Sequence, residues 1–380
     1  MMVKQLYTVS FVTPAFLGDA EQNGAWRTPP FKALLRQWWR VVAAKENIQE
    51  LRKAEGELFG NAADNDFCKS QVRLRLDSWN KGELNQLPAV PELVCHKEVE
   101  LSGLPAHIKP HYYCTEHKAN HKVAASLYLG FGPVGTKSIR KAITPESNKK
   151  AIDQENQLLL AVPNKQNECF EEIMQLIQWF GTIGGRSRNG WGSMLLEGGE
   201  LKGLEMLNQS ASLLKRLAKP LEDCLDLDWP HAFGKDDDQR LLIWTSKQPH
   251  NTWREAMVEL AKIKIAFRTT FKFTKPKGDL DQRHILTYPV TNHPVLKWEK
   301  YQVNWASGKR NGRLANQLRF KVAKTADNRY QSIIYHLPCG IPTELLNALS
   351  KADRDWIVDQ QLTVWQSVHA ALDKQMQRIP

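Results

Sequence analysis

The sequence predicts an α+β fold made of two units in tandem, and three observations carry that expectation. The chain has 380 residues, enough for two cores at roughly 150 residues per domain. An order of strand, helix, strands, helix and strand occurs once before residue 200 and again after residue 238. Between the two, the texture changes: Gly198 and Gly199, a lysine-rich stretch, Pro220 and the run Asp236, Asp237, Asp238 read as surface connections. The expected division is a first unit at 1–200, a linker at 201–238 and a second unit at 239–380.

Residues 3–12 alternate, with Val3, Tyr7, Val9 and Phe11 on one face, so the fold opens on a strand that stops at Thr13-Pro14. After a loop holding Gly18, Asp19 and Gly24, Pro29 and Pro30 mark a helix start, and Phe31 to Ala44 runs without a breaker. Leu34, Leu35, Trp38, Val41 and Val42 form its apolar stripe, while Lys32, Arg36 and Arg40 recur every fourth residue as one basic row. A second helix is expected over Ile48 to Leu58, then strands at Gln71 to Leu76 and Ser126 to Phe131. Residues 79–122, with prolines at 88, 91, 105 and 110 and many histidines, read as a long insertion loop and not as part of the core. A strand at Leu158 to Val162, an amphipathic helix at Glu168 to Phe180 stopped by Gly181, and a strand through Met194 to Leu196 complete the first unit. The second unit is expected to run as a strand at Arg240 to Trp244, a helix from Thr252 to Phe267, strands at Asn316 to Val322 and Gln331 to His336, and one closing helix from Thr343 to Lys374. Two ferredoxin-like (RRM-like) units, the first with a loop insertion, produce this order.

Composition narrows the function classes. With 42% hydrophobic and 24% charged residues the chain is neither a disordered tail nor a fibrous rod. No window approaches the ~20 apolar residues of a membrane span, and the start has no long apolar leader, so a cytoplasmic protein without a membrane partner is expected. Lys plus Arg at 52 against 41 Asp plus Glu leaves a formal charge of +11, which favours an anionic partner such as nucleic acid. The six cysteines are spread out with no Cys-x-x-Cys pair, which reads as reduced thiols.

The segment GGRSRNGWGS at 184–193 joins glycines to Arg186 and Arg188. Gly184, Gly185 and Gly190 permit close backbone approach, so such a loop can lie against phosphates, with Trp191 as an aromatic that either stacks a base or anchors the loop in the core. No Gly-Lys-Ser/Thr closes it and the dinucleotide Gly-x-Gly-x-x-Gly spacing is absent, so nucleotide hydrolysis and NAD binding both lose their best candidate. A third basic cluster, GKRNGR at 308–313 followed by Asn316, Arg319 and Lys321, again combines glycine and arginine. In the insertion, Cys95, His111, Cys114, His117 and His121 have spacing compatible with a structural zinc, against the plainer reading of solvated histidines; no cofactor is otherwise required. Hydrolase motifs such as Gly-x-Ser-x-Gly and His-Glu-x-x-His are missing.

The stretch FVTPAFLGDAEQNGAWRTPPFKALLRQWWR at 11–40, AEGELFG at 54–60 and the glycine-rich segment resemble the RAMP superfamily of CRISPR-associated proteins. RHILTYPVTNH at 283–293 and RLANQLRFKV at 313–322 extend the resemblance to the second half, and the order of motifs is similar to the first RAMP subunit of the type III-B Cmr effector. The resemblance implies a non-catalytic subunit that contacts the 3′ part of a guide RNA, helps capture complementary target RNA and packs against other RAMP subunits. On that reading Arg36, Arg40, Arg186 and Arg188 are the leading phosphate contacts, followed by Arg27 and Lys32 and then Arg310, Arg313 and Arg319. The competing reading is a RAMP endoribonuclease that processes CRISPR RNA or cuts target RNA, with Asp19, Glu21 or a loop histidine such as His111 supplying the chemistry.

Overall fold

A computed structural model describes residues 1–18, 23–62, 67–84, 87, 92–98, 114, 122–135, 146–147, 150–290, 293–299, 302–305, 308–311, 313–314 and 316–379. The protein is a mixed α/β structure with several antiparallel sheets. Its first half contains β1 (Met2–Phe11), α1 (Thr28–Ala43), α2 (Ile48–Phe59), β2 (Arg73–Leu76), β3 (Asn156–Pro163), α3 (Asn167–Phe180) and β4 (Met194–Glu197). These four strands pair antiparallel in the order β2, β3, β1, β4. Alternation decides the orientation of β1: Tyr7 and Val9 point into the core, and Leu6, one residue before Tyr7, is exposed. The α1 helix begins with prolines in its first turn, where a missing N–H leaves no hydrogen bond unmade, and it buries Phe31, Leu34, Leu35, Trp38, Trp39 and Val41.

The second half repeats the arrangement with β5 (Ile243–Thr245), α4 (Trp253–Thr270), β6 (Leu318–Lys324), β7 (Tyr330–His336), α5 (Lys351–Gln375) and β8 (Gln377–Arg378). Its sheet has the order β6, β7, β5, β8, the same sequence of positions as the first, and it is again antiparallel. A capping box fixes the start of α4, with the Thr252 hydroxyl accepting from the Glu255 amide and the Glu255 carboxylate accepting from the Thr252 amide.

The two halves share one interface of core side chains. Trp38 of α1, Phe180 at the end of α3, Phe233 and Tyr335 of β7 form a ring cluster with centroids 5.0 to 6.2 Å apart. Ile243, Ile333 and Tyr335 face this cluster, while Trp244, Ile334, Phe320 and Val322 pack under α4 and α5, so the second sheet is covered on both faces. Truncating a large ring of this kind to alanine typically costs about 3–5 kcal/mol. Lys321 adds a polar tie: it is buried, and its ammonium donates to the Ile177 and Gln178 carbonyls in the last turn of α3, where the Ile177 carbonyl also accepts from the Gly181 amide.

Several expectations are corrected. Residues 201–238 do not run over the surface. Leu207, Leu214, Leu217, Leu221, Cys224 and Phe233 are buried, on helices Ala211–Arg216 and Leu221–Leu225 and strand Phe233–Lys235. Asp236 in the acidic run pairs with Arg240 and Arg378 and caps the Arg240 amide. The expected strand at 126–131 is helix Ala125–Gly130, because Ala125 and Leu129, four residues apart, are both buried in the core of the second half. The insertion also reaches that core through Val94, on a strand paired with Lys122–Ala124. The closing helix is interrupted: Ser350 caps a new start through its hydroxyl, which accepts from the Asp353 amide, and the strand Gln377–Arg378 follows it. Cys95 and Cys114 are joined in a disulfide, so the reading of six reduced thiols fails for this pair; Cys68, Cys169, Cys224 and Cys339 are free.

Candidate nucleic-acid interface

The glycine-rich segment 184–193 connects α3 to β4 and is held between the two halves of the molecule. Asn189 pairs with Phe320 in a parallel bridge, the Phe320 amide donates to the Arg188 carbonyl, and the Val322 amide donates to the Ser193 hydroxyl, all across to β6. Thr13 donates its hydroxyl proton to the Gly190 carbonyl, which ties the loop to the end of β1. The glycines serve this packing. A Cβ on Gly184 would stand 2.7 Å from the Phe16 carbonyl oxygen, and one on Gly190 would stand 3.0 Å from the Met257 sulfur. The Gly185 and Gly190 amides donate to the Phe16 and Ser187 carbonyls. The expectation that glycine amides open to phosphate is therefore corrected at Gly185 and Gly190, whose amides are used inside the fold.

What the loop does present is charge. Arg186, Arg188, Lys264, Arg268 and Arg313 line one cavity of about 840 Å³, together with Tyr128, Phe131, Asn189, Tyr288 and Asn316. Among the described residues no carboxylate lines it, and none forms a salt bridge with these five side chains. Arg186 has a backbone φ of 58°, in the left-handed region that a non-glycine residue occupies at a cost, and its Nε donates to the Phe131 carbonyl at 2.6 Å. Lys264 is buried, donates to the Asn189 side-chain oxygen at 2.7 Å, and lies over the Tyr128 and Phe320 rings.

The electrostatics follow from this crowding. Burial, with Arg319 beside it, holds the Arg188 guanidinium down at about 10. Burial, and then Arg313, lowers Arg186; burial, and then Arg268 and Arg186, push Lys264 well below the ordinary lysine range. These are like charges held together in a partly desolvated recess, and an anion entering it relieves the repulsion at each. A phosphate is the simplest group that meets such a set of donors.

The sequence candidates separate into groups. Arg186, Arg188 and Arg313 meet in the cavity. Arg36 and Arg40 project from α1 onto Glu55 of α2, whose carboxylate accepts from Arg36 Nε, Arg40 Nε and Arg40 Nη2. Burial alone would raise that carboxyl, but the Arg40 and Arg36 hydrogen bonds and charges hold it below the usual carboxylate range. Lys32, on the same row, is lowered by partial burial and then by Arg36. Arg27 precedes α1, its Nε buried with no hydrogen-bond partner among the described residues. Two residues are corrected: Trp191 is fully buried against Phe16 and Trp253, so it anchors the loop and has no face for a base, and Arg319 is buried beside Tyr335 under the second sheet. Arg310 lies on strand Gly308–Asn311, paired with Gln302–Trp305.

Lys264 and Arg268 were missed by the sequence reading, although their four-residue spacing on α4 is the signal that singled out Lys32, Arg36 and Arg40. Of the zinc candidates, Cys95 and Cys114 are bonded to each other in this structure and do not present thiolates. His111, His117 and His121 lie outside the described residues, as do Asp19 and Glu21. Among the described residues no group of three or more potential metal ligands gathers, and no helix is long and apolar enough to cross a membrane.

A family model described as the RAMP superfamily matches residues 8–195. Among solved structures the chain is similar to Cmr1 from Pyrococcus furiosus in its apo form, with 13% identity, a TM-score of 0.44 and coverage of 94% of this chain and 97% of that one. It is also similar to a chain of the type III-B Cmr-beta complex bound to cognate target RNA and AMPPnP, with 12% identity, a TM-score of 0.43 and coverage of 97% and 99%. A chain of a type IV-B CRISPR complex aligns over 53% of this chain and 93% of its own length, with 11% identity and a TM-score of 0.27. No curated protein matches.

Proposed function

Because this chain belongs to the RAMP superfamily, we propose that it is a non-catalytic, RNA-binding subunit of a cytoplasmic type III-B CRISPR effector, contacting the 3′ part of the guide RNA and helping to capture complementary target RNA. The observation that carries the reading is the cavity between the halves: five cationic side chains, no carboxylate among the described residues, and like charges that depress one another. Recognition of this kind holds phosphates and is indifferent to base sequence, which is what a subunit that must accept any guide requires. The motif order at 11–40, 54–60, 283–293 and 313–322 supports the same assignment, and the strand order repeated in both sheets supports a reading of two ferredoxin-like units.

The test uses the full chain with labelled single-stranded RNAs of guide length, one carrying a CRISPR repeat and one of unrelated sequence, and with target RNA. Binding that is similar across sequences and falls with salt, with the RNA recovered intact, is the expected result. Absence of binding, or cuts at fixed positions, overturns the proposal; cuts lost on changing Asp19 or His111 would establish the endoribonuclease reading.

A further inference from the structure

The cavity has an aromatic mouth. Phe131 is 67% exposed; Phe67 (70%) and Trp79 (61%) are exposed as well, but of these three rings Phe131 alone lines the cavity, where it stands beside Arg186 and Tyr128. Its backbone is fixed from two sides. Arg186 Nε donates to the Phe131 carbonyl, so the guanidinium and the ring share one backbone anchor. Pro133 then packs on the glycine-rich loop, where a Cβ added to Gly185 would come within 3.2 Å of the proline ring. Between them Gly132 adopts a φ of 114°, and a Cβ there would lie 3.5 Å from Arg186 Nη2. The turn is therefore held against the cationic loop, with the Phe131 backbone anchored on Arg186.

An exposed apolar ring next to guanidinium groups that have no carboxylate partner among the described residues is a poor place for an acidic peptide, which has no planar face to cover the ring. It suits a nucleotide, whose base offers a π-face and whose phosphate offers the charge. We propose that Phe131 stacks on the base of one unpaired nucleotide while Arg186 and Arg313 hold the adjoining phosphate. This rests on the RNA-binding reading and adds to it the residue that reads the presence of a base. It also moves the stacking role from Trp191, which is enclosed in the core, to a ring that is open to solvent.

The experiment uses the full chain and a set of single-stranded RNAs, each with one 2-aminopurine placed at a different position. For the wild type, one position shows fluorescence quenching on binding. Phe131→Ala is expected to abolish that quenching and weaken affinity by about 5- to 150-fold, with the slope of log affinity against log salt unchanged, while Phe131→Tyr keeps both signals. Arg186→Ala is expected to reduce the slope. If Phe131→Ala binds with wild-type affinity and quenching while Arg186→Ala loses slope, the stacking assignment is overturned and the RNA reading stands. If the wild type does not bind RNA at all, both fall together. Circular dichroism of Phe131→Ala checks that an exposed side chain was changed without loss of the fold.

Discussion

Changing Glu55 to glutamine removes the carboxylate that Arg36 and Arg40 share. In the wild type three charge-assisted hydrogen bonds reach this group, whose side chain is 5% exposed, from guanidinium side chains that are 41% and 38% exposed. Removing one partner of a fully buried ion pair costs about 3–5 kcal/mol, and breaking a surface pair costs about 0.2–1 kcal/mol. With the acid buried and the bases solvated, the expected loss is about 2–3 kcal/mol. At about 2 cal/mol/K of unfolding entropy per residue, a chain of this length then melts about 3 °C lower. The sign with pH follows from the depressed folded-state value of Glu55. The stabilisation is fully present above the unfolded-state value and is lost as pH falls through the folded one, so wild type and Glu55→Gln should converge in acid. Thermal unfolding of both proteins at pH 7 and in stepwise acid checks this. Equal melting temperatures at pH 7, or a gap that persists below the folded-state value, would refute the assignment of the α1 basic row to holding α2.

Lys264→Gln is expected to flatten the pH dependence of RNA affinity. The folded-state value of Lys264 is lowered, first by burial, and a phosphate in the cavity raises it again, so binding takes up a proton and affinity falls as pH rises toward the ordinary lysine range. Fluorescence anisotropy titrations from pH 6 to 9 measure this, and an affinity independent of pH in the wild type would contradict it. Thiol titration of the denatured, unreduced chain should count the four free cysteines, rising to six after reduction; six at the outset would return Cys95 and Cys114 to the thiol pool.

Much of the fold was legible because its signals are local. The inward Tyr7 and Val9, the Pro29-Pro30 helix start, the stripe on α3 and the repeated strand order are all set by periodicities of two and 3.6. What failed depends on contacts distant in sequence. Leu127, Leu129 and Phe131 alternate as a strand would, yet packing against the second core selects a helix. The Asp236 run looked like a solvated linker, yet Arg378 from the far end of the chain pairs with it. The basic row of α1 was visible as a row, but its carboxylate partner arrives on a different helix. In the site, Arg186, Arg188 and Arg313 were legible as arginines beside glycines. That Lys264 and Arg268 join them, and that Trp191 and Arg319 do not, is decided by how the two halves meet.

The central claim is that the cavity between the halves holds RNA phosphate, and the salt dependence of binding tests it most directly. Each phosphate contact to a single strand contributes a slope of about −0.7 in log affinity against log salt. The double variant Arg186→Ala with Arg313→Ala should therefore bind single-stranded RNA with a slope shallower than wild type by about 1.4, for every RNA sequence tried. A slope equal to that of the wild type would contradict the account and place the RNA on another surface.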